Sequence, residues 1–96
     1  MSVKNGYVNT FLDFQSDGQY QSQSENLGDI EFYNSGSVRV LLNGTFFIEP
    51  LTSIKFKGKY GEVDKTKYYW TFPPYVPSPY AQTRLTVIVK QFNNAN

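Results

Sequence analysis

The stretch SVRVLLNGTFFIEP, residues 37–50, decides the fold class. Val38, Val40 and Leu42 alternate with Arg39 and Leu41, the period of two that belongs to a strand with one face turned inward. Asn43-Gly44 follows, the strongest short hairpin signal, because a type I′ turn needs φ > 0 at both central positions. Thr45 to Glu49 returns as the partner strand, and Pro50 closes it, as expected at a strand end or a sheet edge.

The same period continues outward in both directions. Upstream, Ile30 and Phe32 alternate with Asp29 and Glu31, and Asn34-Ser35-Gly36-Ser37 reads as a turn. Downstream, Ile54 and Phe56 alternate with Lys55 and Lys57, Gly58 to Gly61 is a turn, and Tyr68, Trp70 and Phe72 share one face of a further strand. The last strand is expected over 83–92, with Leu85, Val87 and Val89 on one face. The first is expected over 7–14, with Val8, Leu12 and Phe14 together. Between 15 and 26 the chain is rich in Gln and Ser and nearly free of apolar residues, which reads as an exposed loop or mobile connection. The expected organisation is a single domain: an N-terminal strand or arm with its polar connection over 1–26, a body over 27–92 and a frayed tail over 93–96. No helical stripe of ten residues occurs. About seven short strands separated by turns predict an all-β protein, a small antiparallel β-sandwich or a jelly-roll or Ig-like barrel.

A chain of 96 residues has room for one thin core, and domains of this size often lean on disulfides, a metal or oligomerisation. There is no Cys and no His, so disulfides, thiolate metal sites and imidazole chemistry are excluded, and oligomerisation or docking on a larger assembly gains weight. Nine basic against eight acidic residues is too even a balance for a dedicated nucleic-acid binder. Residues 1–6 carry no apolar core of a signal peptide, and no apolar run has the length of a membrane helix, so neither secretion nor membrane insertion is expected.

Without His or Cys, Ser-His-Asp and Cys-His catalysis cannot be built, and no phosphate-cradling GxxxxGK[ST] run occurs. Two acidic pairs, Asp29 with Glu31 and Glu62 with Asp64, share strand faces, a spacing that glycoside hydrolysis or Ca²⁺ binding can use. Their favoured reading is the solvated face of an amphipathic strand, since no ladder of further ligands surrounds them. Lys55, Lys57 and Lys59 form either a basic stripe for an anionic surface or lysines guarding an edge strand, and the second is favoured. The chain is expected to have no catalytic residue, metal or cofactor.

Aromatic residues are abundant, with 8 Phe, 8 Tyr and 1 Trp, and rings offer large contact area at low entropy cost. The segment 73–82, PPYVPSPYAQ, holds four of the five prolines. Stiffened this way, Tyr75 and Tyr80 with Pro74 and Pro77 read either as a contact loop for protein or sugar or as a rigid connection whose tyrosines fold back. Apolar residues also occupy the second face of several strands. By parity Phe11 opposes Leu12, Leu41 opposes Val40 and Leu42, Phe47 opposes Phe46, and Ile88 opposes Val87 and Val89. A sandwich hides one face per sheet, so Phe11, Leu41, Phe47 and Ile88 are candidate contacts with another subunit. A bulge that buries them is the alternative.

Taken together, Asn34 with Gly36, Asn43-Gly44, Pro50, Gly58 and Gly61, Glu62, Asp64, Thr66, Tyr68, Phe72 and the closing run Leu85–Lys90 form a pattern that resembles small structural proteins encoded by tailed and other phages, over residues 30–92. Leu51 departs from it, standing where a Gly after the Pro is usual, and the 73–82 loop is longer and richer in proline. The resemblance implies a non-enzymatic virion component such as a capsid decoration, vertex or accessory protein. It would assemble with itself, as a trimer or pentamer for instance, or dock on the major capsid protein, and would reside in the virion. The alternative is a carbohydrate- or host-surface-binding module in which Tyr75, Tyr80 and Trp70 stack on sugars; burial of Trp70 would remove its best platform.

Overall fold

In the computed structural model, which describes residues 6–21, 27–58, 66–74 and 78–93, the hairpin at 37–50 is the tip of a much longer one. The strands are β1 (Gly6–Phe14), β2 (Gly18–Gln21), β3 (Leu27–Tyr33), β4 (Val40–Leu42), β5 (Phe46–Ile48), β6 (Ser53–Lys57), β7 (Lys67–Thr71) and β8 (Leu85–Asn93). No described residue is helical. Antiparallel pairing joins β4 to β5, β3 to β6, β2 to β7 and β1 to β8, so the chain folds back on itself about Asn43-Gly44. Two further pairings, β3 with β8 and β4 with β7, roll this ribbon into two four-stranded sheets. Sheet I has the order β1-β8-β3-β6 and sheet II the order β2-β7-β4-β5. This is the strand order of a jelly roll, and it differs from the Ig arrangement.

Asn43 and Gly44 sit at φ 53° and 65°, as the turn requires. The Thr45 N–H donates to the Leu42 carbonyl at 3.1 Å, and pairing resumes with Leu42 opposite Phe46. Inward faces follow the alternation read from the sequence. Ile30, Phe32, Val40, Leu42, Ile48, Tyr68, Trp70, Phe72, Leu85, Val87 and Val89 form one buried cluster, with Leu12, Phe14, Tyr20, Ile54 and Phe56 packed against it. Rings lock the two sheets together: Phe14 lies 4.7 Å from Trp70, Phe32 5.0 Å from Tyr68 and Phe56 5.2 Å from Tyr68, all tilted. Such pairs contribute about 0.5–1.5 kcal/mol each beyond area burial.

The strand count is eight, not seven. The extra strand is β2, inside the stretch expected to be a loop or mobile connection. Its backbone pairs with β7, Gly18 opposite Trp70 and Tyr20 opposite Tyr68. A Cβ at Gly18 would stand 2.9 Å from the Trp70 ring, so glycine lets the strand lie close on the indole. Its other residues include exposed Gln19 and Gln21 at a sheet edge, which is why no hydrophobic alternation marks it.

Alternating strand direction brings the β1–β2, β3–β4, β5–β6 and β7–β8 connections to one end. There Asn34, fully buried, ties the β3–β4 connection to the end of β5 and the β5–β6 connection. Its Nδ2 donates to the carbonyls of Val38 and Ile48, each at 2.8 Å, and its Oδ1 accepts the Gly36 N–H at 3.0 Å. Gly36 in turn donates to the Arg84 carbonyl at 3.2 Å, and Ser37 to that of Gln82 at 2.9 Å. A Cβ on Gly36 would meet the Gln82 oxygen at 2.3 Å, so the Asn-x-Gly signature has a steric reason. The Trp70 Nε1 donates to the Ser16 carbonyl at 3.0 Å and the Phe72 N–H to Asp17 Oδ1 at 2.8 Å, fixing the β1–β2 corner.

Candidate functional site

A rolled two-sheet fold has two outer faces, and each carries an apolar group of residues. On sheet II the register places Thr71, Leu41 and Phe47 in one row across β7, β4 and β5. Pro73 and Pro74 extend this row as the chain leaves β7, and with Arg39 and Phe72 they line a shallow depression of about 210 Å³. Phe47 is 56% exposed although it stands mid-strand. The Arg39 guanidinium lies 4.6 Å from the centre of the Phe47 ring, and its Nε donates to Glu49 Oε2 at 2.8 Å. This pair props the ring up at the rim, and cation–π contact at an exposed site contributes about 0.5–1 kcal/mol. Tyr69 is also exposed on this face, with its backbone N–H held by Asn43 Oδ1 at 2.9 Å.

On sheet I the row across the strands reads Phe11, Ile88, Glu31, Lys55. Phe11 is 64% exposed and Ile88 half-buried beside it. With Asn9, Asp29 and Lys90 these residues border a depression of about 290 Å³. Further along, the Asp13 carboxylate accepts hydrogen bonds from Thr86 at 2.6 Å and Arg84 at 3.1 Å. Those bonds, the Thr86 one first, hold its pKa below the ordinary 3.8.

The structure therefore brings Leu41, Phe47 and Pro74 together on one outer face and Phe11 and Ile88 on the other. Tyr80 joins neither. It stands 89% exposed at a turn in which its N–H donates to Ser78 Oγ at 3.1 Å and the Ala81 N–H to the Ser78 carbonyl at 3.0 Å. Tyr75 and Pro77 lie outside the described residues, as do Glu62, Asp64 and Lys59. Trp70 is only 1% exposed, so it is not a stacking platform. Asp29 and Glu31 face Lys57 and Lys55 across β3 and β6, on the solvated side of the sheet. The two lysines do lie on an edge strand. Among the described residues no three carboxylates or other ligands gather into a metal-holding group, and no buried side-chain polar atom lacks a partner.

Reasoning from sequence missed Arg39 and Thr71, whereas Pro73 belongs to the 73–82 segment read as a contact loop. Arg39 lay one register step away, because a two-residue loop at Asn43-Gly44 would set it across from Ile48, whereas the observed loop includes Thr45 and places Arg39 by Glu49, one step past the Val40–Ile48 pair. Thr71 needed the β4–β7 pairing, which no local signal announces. Comparison with known proteins finds no matching family model, no matching curated protein and no matching solved structure.

Proposed function

We propose that this chain is a non-enzymatic assembly subunit, a virion structural protein of the phage type that its turn pattern resembles. The observation that carries this reading is the gathering of Leu41, Phe47, Pro73 and Pro74 on the outer face of sheet II, at the rim of an otherwise well-satisfied small sandwich. Apolar residues grouped on an outer face, rimmed by charged groups such as Arg39 and Glu49, mark a surface that another protein covers. The jelly-roll order suits this role, since capsid domains use it, although lectins use it as well.

Co-sedimentation of the intact protein with phage particles or purified capsid protein tests the proposal, with its native mass measured by light scattering. Particle or capsid-protein binding that weakens in Phe47→Ser and Leu41→Ser is the expected result. A monomer that binds neither overturns it. Tyr80 favours a second reading, a glycan-binding module, because its ring is fully presented. Trp70 argues against it, and a glycan array that lights up and goes dark in Tyr80→Ala would replace the first reading with this one.

A further inference from the structure

Two sheets have four edge strands, and an edge is a template for another strand unless something blunts it. Three of the four are blunted. β5 has three residues and runs into Pro50, β2 has four, and β6 has five with exposed Lys55 and Lys57. β1 is different. It runs nine residues, Gly6–Phe14, with no Lys, Arg or Pro, and pairs with β8 in unbroken register from Gly6 opposite Asn93 to Phe14 opposite Leu85. Among the described residues β1 pairs on that side alone. Its one charge, Asp13, is bound within the chain by Thr86 and Arg84.

The geometry points to β1 as a self-association edge, on which β1 of a second copy pairs antiparallel about a two-fold axis at Phe11. This rests on the assembly reading above and names one contact within it. The occupant is a second copy because β1 is self-complementary in this register. Phe11 meets Phe11 of the other copy, Thr10 meets Leu12, and Asp13 meets Asn9, so no like charges oppose each other. The exposed Phe11 ring then gains a cross-strand aromatic partner. Because Ile88 already lies beside Phe11, the joined eight-stranded sheet carries one continuous apolar row, Ile88, Phe11, Phe11, Ile88. Two-fold isologous contacts of this kind are the commonest in homo-oligomers. The paired segment, residues 8–14, spans about 24 Å at the rise of an antiparallel strand.

The test uses the full chain in three charge states at position 11. Wild type is expected to form a concentration-dependent dimer by light scattering, with added hydrogen-exchange protection in β1. Phe11→Lys and Phe11→Glu each place like charges on the axis and raise the dissociation constant by roughly tenfold or more. Mixing the two restores a heterodimer, which a merely misfolded variant does not do. Near-ultraviolet circular dichroism of the buried Trp70 reports that each variant is folded. Since the chain has no Cys, Phe11→Cys adds a clean reporter: with oxidised glutathione, two thiols give one intermolecular disulfide and two reduced glutathiones, whereas Phe47→Cys stays uncrosslinked. An oligomer that Phe11→Lys leaves intact overturns the β1 contact while the assembly reading stands on another surface. A wild-type chain that is monomeric at millimolar concentration also overturns it, and particle binding then judges the assembly reading separately. A foreign protein strand bound at β1 in place of self-association overturns the second-copy occupant.

Discussion

Asn34 is the residue whose loss tests the architecture most directly. It is fully buried and makes three side-chain bonds to main-chain groups, Gly36 and Val38 in its own β3–β4 connection and Ile48 at the end of β5. In Asn34→Ala the Val38 and Ile48 carbonyls lose the amide donor, while the Gly36 N–H keeps the Arg84 carbonyl. Each bond contributes about 0.5–1.5 kcal/mol net, and a buried group left unpaired costs about 1–3 kcal/mol. Allowing for some relaxation, the sum over the two carbonyls is about 2–4 kcal/mol, a large part of the ~5–15 kcal/mol that holds a domain together. A domain of this size loses roughly 4–8 °C per kcal/mol, so the midpoint should fall by about 10–30 °C. Urea titration followed by Trp70 fluorescence gives the same quantity isothermally, as a shift in midpoint at unchanged slope. Asn34→Asp sharpens the test. At neutral pH it aims a carboxylate at two carbonyl oxygens, so it should be less stable than Asn34→Ala. Burial and those carbonyls raise the folded-state pKa of this new carboxyl above its unfolded value. Its penalty is therefore full above the folded pKa and fades as pH falls towards the unfolded one. A loss below about 1 kcal/mol in Asn34→Ala, or an Asn34→Asp variant as stable as wild type at neutral pH, refutes the reasoning.

Four further outcomes follow from single positions. Gly36→Ala should cost about 2–3 kcal/mol by urea titration, because its Cβ would press on two main-chain atoms, the Gln82 oxygen and the Arg84 nitrogen. Leu51→Gly should stabilise by about 0.5–1 kcal/mol: Leu51 holds φ 63° while 71% exposed, so relief of left-handed strain outweighs the added chain entropy and little packing is lost. The Asp13 carboxyl should titrate by NMR below the ordinary 3.8, and the stability it lends is present above that value and lost as pH falls through its folded pKa; Asp13→Asn removes this dependence. Tyr80→Ala should leave stability within about 0.5 kcal/mol of wild type in thermal melts, since its ring supports nothing in the fold.

Turn chemistry and parity made most of the fold legible. Asn43-Gly44 located the tip of the roll because only residues tolerant of positive φ fit there, and the observed angles agree. The alternation in β3, β7 and β8 named the core correctly, Trp70 included, because each sheet buries one face. β2 escaped notice for a physical reason. A short edge strand that lies on an indole through a glycine needs no apolar pattern of its own. Leu51 shows the reverse case: the departure from a Gly after the Pro was visible in the sequence, but only the backbone angle shows that the position calls for one. At the surface, parity placed Phe11, Leu41, Phe47 and Ile88 outward. It could not say which of them meet, since that depends on pairings between distant segments.

Those pairings bear on the proposed role. Leu41 and Phe47 are neighbours through the local hairpin, and Pro74 joins them because β7 lies beside β4. Phe11 and Ile88 come from opposite ends of the chain and meet because the roll closes with β1 on β8. The two groups occupy outer faces of different sheets, with the full core between them, so one partner surface of ordinary size cannot cover both. Under the assembly proposal this makes the subunit bivalent, with two unlike contacts. The sheet I contact lies at an edge and is self-complementary, whereas the sheet II contact is an apolar rim flanked by Arg39 and Glu49. Substitutions on the two faces should then act independently. Phe11→Lys alters the self-contact alone and Phe47→Ser the docking contact alone, because no side chain is shared between them.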